Sequence, residues 1–594
     1  MGAFILYKSN ADLDIKSAEA LFKDKGFSGP KKIDLGRWCL IQYKKIFLDD
    51  VDNYIIDDNQ AIFCCGTVVY CGQSYKNSLK RLLKDFQNGS VNQSELIGHF
   101  CILYWNGSEL KALTDVLNTY HVYTNDDATC FSSSFLGILS ASPKPLPLNR
   151  LAVCEKMATG YIISPDTLVQ GISQLNDEVA SDFSQSLNDI EFVRHAPRPE
   201  IKLHDKGIDK SISIQTDLLE NHFGKIEALH NEFTGELGLS DGYDSRVVLA
   251  CSKVFSKQLS LHTHASTELS CHNAAKSIVQ KIARATNSTL KIVPTKHILF
   301  SEPDKMRDIL DDSLHLFDGR CSHNMGAFSE TYTKAYRKKI LSDGQRFTLN
   351  GLGGEVYRNY YALQKNYSIH LRHWMNYFIY YAYAKDGIGD NALFEEMHEH
   401  RLHKINKRLG LQKKSRIDLL WIRRYYSEVR MPDCDAVNSD AQNQLSFYHM
   451  PFIQPEITYE GINANRYIGL GGSYQMALMY KLSPELSAFR THYGYPCDKK
   501  IPLKFILRTT LAGHIPEQWR WFRKRLVPPS STKRFANQTR LMLERCEALS
   551  ESKESLLASG AIKNFDATIM NSSQRATTMF VGTFLRKFQN KIKC

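Results

Sequence analysis

Glu236-Leu-Gly-Leu-Ser-Asp-Gly-Tyr-Asp-Ser-Arg-Val-Val-Leu-Ala250 is the stretch that decides how this chain is read. The apolar run Leu237 to Leu239 predicts a buried strand, and Ser245 to Val254 predicts the helix after it. Between them lies a loop with two hydroxyls, a glycine and an acid. Small residues let backbone N–H groups approach an anion, and a helix N-terminus adds favourable partial charge. Ser240 and Ser245 can donate hydrogen bonds to phosphate oxygens. An acid in an anion site makes sense when it holds a cation, so Asp244 suggests Mg²⁺ coordination. The competing reading is a plain helix N-cap, where Asp and Ser bind only the helix's own amides.

Downstream the strand-then-helix grammar repeats. Leu259 to Ala265 reads as a strand, His272 to Thr286 as a helix and Leu290 to Val293 as another strand, an alternation that predicts parallel βαβ units. A second glycine-rich loop, Asn350-Gly-Leu-Gly-Gly-Glu-Val-Tyr-Arg-Asn-Tyr360, follows the β-like Arg346 to Leu349. Alone it reads as a tight turn. Paired with the first loop, it would open at the same carboxyl edge of one parallel sheet, where ligands bind in such folds.

Upstream the pattern differs. Gly2 to Tyr7, Trp38 to Ile46, Ala61 to Tyr70 and Phe100 to Trp105 read as β-strands, with one helix from Lys76 to Gln87. His195-Ala-Pro-Arg-Pro-Glu200 cannot continue a helix and reads as a linker. This predicts two domains, residues 1–195 and 196–594. From about Tyr361 onward the chain is mostly helical in character, and no internal repeat is evident.

The bulk numbers narrow the function classes. The chain has 594 residues, 43% hydrophobic and 23% charged, which excludes a disordered or low-complexity protein. Lysine and arginine exceed acids by 75 to 63, a mild basic excess for this length. No apolar run reaches the about 18 residues needed to span a bilayer, and residues 1–14 lack a signal-peptide pattern. The expectation is a cytoplasmic protein without a membrane span. The 14 cysteines include no CxxC pair, so zinc-ribbon and dithiol chemistry lack support. Cys64, Cys65 and Cys101 read as small hydrophobes.

These residues resemble a known family. Ser240-Asp-Gly-Tyr-Asp-Ser245 is similar to the pyrophosphate-binding SGGxDS signature of N-type ATP pyrophosphatases. Gly351-Leu-Gly-Gly-Glu355 resembles the second loop of asparagine synthetase and β-lactam synthetase. Ala61 to Tyr70, Gly98 to Leu103, Asp115, Phe131-Ser-Ser133 and Thr167 to Ile172 follow the order of landmarks in a class II glutamine amidotransferase domain. Pro516 to Lys524 resembles the asparagine synthetase segment that bears a catalytic lysine. The resemblance implies an α/β protein: an N-terminal α+β amidotransferase-like β-sandwich domain, then a parallel-sheet ATP pyrophosphatase domain with a helical C-terminal part.

It also implies a reaction. A carboxylate attacks the α-phosphate of ATP to give an acyl-adenylate and pyrophosphate; an amine or ammonia then displaces AMP. By this likeness Ser240, Gly242, Asp244 and Ser245 bind ATP and its pyrophosphate, Leu239, Asn350 and Gly351 touch the nucleoside, and Asp244 and Glu355 hold Mg²⁺. Lys524 would neutralise charge at the reacting centre; the bland alternative is one base among several in a solvated turn, Arg520 to Arg525. Enzymes of this type are commonly homodimers. The Asp-Ser-Arg and Gly-Gly-Glu forms resemble the asparagine synthase-related proteins of surface-polysaccharide gene clusters, with secondary-metabolite biosynthesis as the other setting.

Four departures from the family pattern stand out. Gly2 occupies the place of the amidotransferase cysteine, and the first cysteine is Cys39, so glutamine hydrolysis by that route is not expected. Asp241 replaces a glycine, and Asp tolerates left-handed backbone better than most residues. Glu355 replaces an aspartate. Leu352 stands where the family has an acid or tyrosine of the second half-reaction, and leucine cannot move protons. The rival reading is therefore a catalytically degenerate scaffold acting through protein partners. A tRNA-modifying pyrophosphatase shares the loop, but no dense basic stripe or RNA-binding module accompanies it, so no nucleic-acid partner is expected.

Other signals have bland explanations. His398, His400 and His403 miss the HExxH spacing, because residue 402 is leucine, and read as exposed helix residues. His262 and His264 alternate along a strand and would face one side, near the nucleotide. The aromatic run Trp374 to Tyr383 reads as helix packing, with a substrate wall as the alternative. The basic, amphipathic Phe584 to Cys594 suggests at most a membrane-surface contact.

Overall fold

The computed structural model describes all residues except 1, 58, 177–189, 194, 196, 206, 267–269, 296–302, 322–332, 342–343, 345, 362–367, 412–414, 514, 517–518, 520–546, 564–569, 571 and 594. It is a mixed α/β protein with several sheets, including a five-stranded parallel one. Among the described residues no helix is long and apolar enough to cross a membrane.

Residues 3–192 build two sheets. One has six strands, with Ala3–Lys8 between Trp38–Tyr43 and Cys130–Ser132. The other has five, led by the long antiparallel pair Gln60–Tyr70 and Leu96–Trp105. Alternation along the strands sorts their side chains. Phe4, Leu6, Phe63, Cys65, Cys101 and Leu103 share a core that draws on both sheets. Ala3, Ile5 and Tyr7 turn instead toward the helices Ile15–Asp24, Phe135–Ala141 and Arg150–Thr159. Ile62 and Cys64 turn toward the helices Tyr75–Gln87 and Ile208–Phe233. The expected structural cysteines are indeed buried among apolar neighbours.

The parallel sheet runs Leu290–Thr295, Ser260–Ser266, Gly235–Gly238, Phe347–Leu349, Phe447–His449, and every neighbouring pair is parallel. Its first strand in sequence, Gly235–Gly238, is its middle strand. The chain adds the next two strands on one side, then returns to add the last two on the other. The order therefore reverses between Gly235–Gly238 and Phe347–Leu349. A buried polar network ties three of these strands together. Glu236 bonds His262 Nδ1 from the strand on one side and accepts from Thr348 Oγ1 at 2.6 Å on the other. Burial pulls against it, yet His262 and Thr348 hold the Glu236 carboxyl below its ordinary value. His262 and His264 do share a face, with ring centroids 5.3 Å apart.

Apolar packing crosses the stretch His195 to Glu200 in several places. One core joins residues from Ala3 to Ile592. Phe135 meets Phe584 at 5.9 Å, and the Tyr161 and Tyr425 hydroxyls meet at 2.5 Å. Lys45 Nζ donates to the Asn443 carbonyl at 2.6 Å.

Two expectations change and a third holds. The amphipathic tail spends its apolar side inside the protein: Phe584, Phe588 and Ile592 are buried, and Ile592–Lys593 pairs parallel with Leu146–Pro147. His398 is buried rather than exposed; its Nδ1 bonds the Tyr380 hydroxyl at 2.6 Å, and burial pulls its pKa to about 4. The aromatic run is packing, since Trp374 is fully buried against Tyr361, Trp421 and Tyr425.

Candidate functional site

The two loops singled out in the sequence leave the two strands that flank the order reversal. Open α/β sheets have a crevice at such a point, outside the carboxyl ends of the strands. Leu239 closes the first strand, its N–H donating to the His262 carbonyl at 2.8 Å. Asn350 closes the second, its N–H donating to the His449 carbonyl at 3.0 Å.

Glycine allows the loops to touch. A β-carbon on Gly351 would come within 2.7 Å of the Ser245 nitrogen and the Asp244 carbonyl carbon. One on Gly354 would come within 2.1 Å of Asp244 Oδ1. No side chain fits at either position, so the second loop lies directly against the start of the helix Asp244–Cys251.

That helix start is not the capped end that the competing reading describes. Tyr243 is the N-cap residue, and no side chain caps the helix. The hydroxyls instead fold the loop onto itself. Ser240 N–H donates to Ser245 Oγ at 3.1 Å, the two hydroxyls lie 3.1 Å apart, and Gly242 N–H donates to Ser240 Oγ at 3.1 Å. Asp241 is not among the residues with positive φ, so an aspartate there carries no left-handed strain. Its carbonyl is gripped from outside the loop, by Arg246 Nη2 at 3.1 Å and by His492 N–H at 3.1 Å.

Asp244 and Glu355 come from different loops and converge on one group, the guanidinium of Arg358. Its Nη2 lies 2.7 Å from Asp244 Oδ2 and 3.0 Å from Glu355 Oε1. The outer oxygens are held as well: Gln475 Nε2 donates to Asp244 Oδ1 at 2.6 Å, and the Tyr426 hydroxyl donates to Glu355 Oε2 at 2.8 Å. Burial, then the charge of Glu355, pushes the Asp244 carboxyl up to about 7 against the pull of Arg358. The two acids hold the guanidinium above its ordinary value despite its burial. A third acid stands near. Burial and the charge of Glu355 push Asp435 up to about 6. Beside Glu355 and Arg358, Tyr360 and Tyr426 line a small cleft of about 10 Å³, room for a single water-sized group.

The donor set suits a hard divalent cation of the Mg²⁺ kind, which is commonly held by one or two carboxylates plus substrate phosphates and water. Two carboxylates share one guanidinium in a partly buried place. Among the described residues no three His, Cys, Asp or Glu side chains are grouped to hold a metal ion by themselves.

Of the residues expected from sequence, Leu239, Ser240, Gly242, Asp244, Ser245, Asn350, Gly351 and Glu355 all fall on these two touching loops. Lys524 and the basic turn around it lie outside the described residues. Leu352 donates its N–H to Asn350 Oδ1 at 2.8 Å and packs against apolar core, as a structural residue does. Sequence reading missed Arg358, Gln475, Tyr426 and Asp435. Only Arg358 had a local signal, three residues after Glu355.

Gly2 is buried. A β-carbon there would meet the Lys44 carbonyl and Phe27 at 2.8 Å and the Gln444 carbonyl at 2.9 Å. A comparison with protein-family models and another with curated proteins found no match to this chain.

Proposed function

We propose that the protein is an ATP-dependent, AMP-forming carbon–nitrogen ligase of asparagine synthase type. One observation carries this reading: two small-residue loops leave adjacent strands at the sheet's order reversal and bring Asp244 and Glu355 to a common point.

In this reading the uncapped helix start at Asp244 and the Ser240 and Ser245 hydroxyls bind the pyrophosphate end of ATP. Leu239, Asn350 and Gly351 lie toward the nucleoside. Asp244 and Glu355 would hold Mg²⁺, which when bound neutralises phosphate charge. Arg358 keeps the two acids aligned and is itself a cation available to phosphate oxygens. A substrate carboxylate oxygen attacks the α-phosphorus, and the bond to the bridging oxygen breaks to release pyrophosphate. The amine nitrogen then attacks the acyl carbon, and AMP leaves. The attacking ammonium must lose a proton. Leu352 cannot take it, so another group must. Lys524 remains the proposed lysine at the reacting centre.

In the same reading residues 1–195 form an amidotransferase-like sandwich without glutaminase activity, and residues 196–594 form the ATP pyrophosphatase part. The amine then comes from free ammonia, another protein or a substrate. A sugar carboxylate in surface-polysaccharide synthesis, or a secondary-metabolite acid, would be the acyl donor, in a cytoplasmic enzyme.

One observation favours a second reading, a degenerate scaffold. Arg358 stands between the two acids that would hold the metal. Calorimetric titration with ATP, with and without Mg²⁺, separates the two. Metal-dependent binding that is lost in Asp244→Ala supports the ligase, and ATP–pyrophosphate exchange then screens carboxylates. Absence of binding at millimolar ATP leaves the scaffold.

A further inference from the structure

A third segment reaches the first loop from far along the chain. Thr491-His492-Tyr493-Gly494 folds as a four-residue turn: the Gly494 N–H donates to the Thr491 carbonyl at 2.9 Å, with His492 and Tyr493 at the two central positions. The turn is braced at its base. Thr491 N–H and Oγ1 donate to the Tyr495 carbonyl at 3.1 and 2.8 Å, and Arg490 Nε donates to the Gly494 carbonyl at 2.8 Å.

Two buried groups seat this turn on the loop Ser240 to Ser245. The fully buried Arg246 guanidinium donates to the Phe489 carbonyl at 2.8 Å, the Arg490 carbonyl at 2.6 Å and the Asp241 carbonyl at 3.1 Å, so it clamps both segments at once. Tyr493 stacks on buried Tyr243, ring centroids 5.3 Å apart. His492 hydrogen-bonds the loop through its backbone, whose N–H donates to the Asp241 carbonyl at 3.1 Å. Any residue but proline would make that bond, so the imidazole is not what holds the turn in place.

The imidazole is left for another use. Among the described residues neither of its ring nitrogens has a hydrogen-bond partner. His492 is exposed, with Tyr493 lying against its ring, centroids 3.9 Å apart. Desolvation lowers its pKa against the charge of Asp241, and Arg358 and Arg246 add to the effect. The ring is therefore neutral at physiological pH and has one N–H to give. It sits beside the loop's glycine. A β-carbon on Gly242 would meet Ser240 Oγ at 3.2 Å and His492 Nδ1 at 3.8 Å, and no backbone atom. Nor does Gly242 have a positive φ. Neither strain nor backbone crowding calls for glycine there. The open side of Gly242 lies between a serine hydroxyl and an unbonded imidazole, an opening that suits close approach of a ligand to the backbone.

We propose that His492 is a further binding residue for the phosphate held by the first loop, its imidazole N–H donating to an oxygen of the pyrophosphate end that lies over Ser240 and Gly242. This rests on the proposal that the loop binds phosphate, and adds to it a residue that neither glycine-rich stretch contains. A hydrogen bond from a neutral donor to an anion contributes more than one between two uncharged groups.

Calorimetry on the full chain with inorganic pyrophosphate and Mg²⁺ tests it in three variants. His492→Phe keeps a flat ring against Tyr493 but removes the donor, and should weaken binding about tenfold or more while keeping the circular dichroism spectrum. His492→Gln and His492→Asn keep a side-chain N–H, and the better placed of the two should recover part of the loss. ATP with Mg²⁺ should follow the same order. An affinity that His492→Phe leaves unchanged overturns the role of His492 while the loop's own binding stands. So does a loss that both amide variants share in full with His492→Phe, since ring shape and not the N–H would then set it. Absence of saturable pyrophosphate binding by the unaltered protein, up to the order of 10 mM, removes the loop as a phosphate site and this inference with it.

Discussion

The α-carbon of Gly354 lies so close beneath the Asp244 carboxylate that a β-carbon on it would stand 2.1 Å from Oδ1. Two loops more than 100 residues apart in sequence are thus seated on each other by the absence of a single methyl group.

Gly354→Ala should force the loops apart. Overpacking of this kind costs about 1–3 kcal/mol, to be read as a lowered denaturation midpoint. Because the displaced atom is a proposed metal ligand, Mg²⁺-dependent ATP binding should fall by more than the stability loss explains. Calorimetry on the folded variant checks it.

Arg358→Met should leave Asp244 and Glu355 facing each other without a counter-charge. Removing one partner of a buried ion cluster costs about 3–5 kcal/mol. Under the ligase reading, Mg²⁺ should restore much of the lost thermal stability in the variant. Under the scaffold reading, added Mg²⁺ should change nothing in either protein. Thermal unfolding with and without the ion distinguishes them.

The Asp244 carboxyl has a folded value near 7 against 3.8 for the free side chain. The folded state thus holds the proton more tightly. In the metal-free protein this group contributes stability that is fully present below about pH 3.8 and is lost as pH rises through about 7. Metal binding needs the ionised form, so it has the opposite slope. Mg²⁺-dependent ATP binding should strengthen by up to about tenfold per unit as pH rises toward 7 and level off above it. Titrations between pH 5.5 and 8.5 would show it, and a flat profile would remove Asp244 as a ligand.

Gly2→Cys should not produce a glutaminase. The added side chain meets two backbone carbonyls and the Phe27 ring at under 3 Å, so the expected result is a destabilised protein, by about 1–3 kcal/mol, that releases no ammonia from glutamine. Glutamine hydrolysis by the variant would show that the pocket can reopen.

The strands and loops of the parallel sheet were legible because their signals are local. Short apolar runs end at small residues and acids, and both loops lie where that pattern puts them. The groups that hold the acids were not legible, because their partners are remote. Gln475 lies 231 positions from Asp244, and Tyr426 lies 71 from Glu355. A glutamine and a tyrosine on separate helices carry no mark of the carboxylate they will meet. That Asp241 does not call on its tolerance of left-handed backbone was equally invisible. Its carbonyl is positioned by Arg246 and by His492, and neither contact is visible in the loop's own letters. His398 was misjudged because helical spacing alone does not say which face another element covers, and Tyr380 covers that one.

The apolar packing across His195 to Glu200 bears on how such a protein can be rearranged. A cut in that stretch would part Phe135 from Phe584 and Tyr161 from Tyr425, and would leave Lys45 buried without the Asn443 carbonyl. Each fragment would carry a large greasy scar and unmatched polar groups, so neither half is an interchangeable cassette. Swapping the first 195 residues for those of another protein should give insoluble chimaeras unless the matching surfaces around Tyr425, Asn443 and Phe584 travel with them.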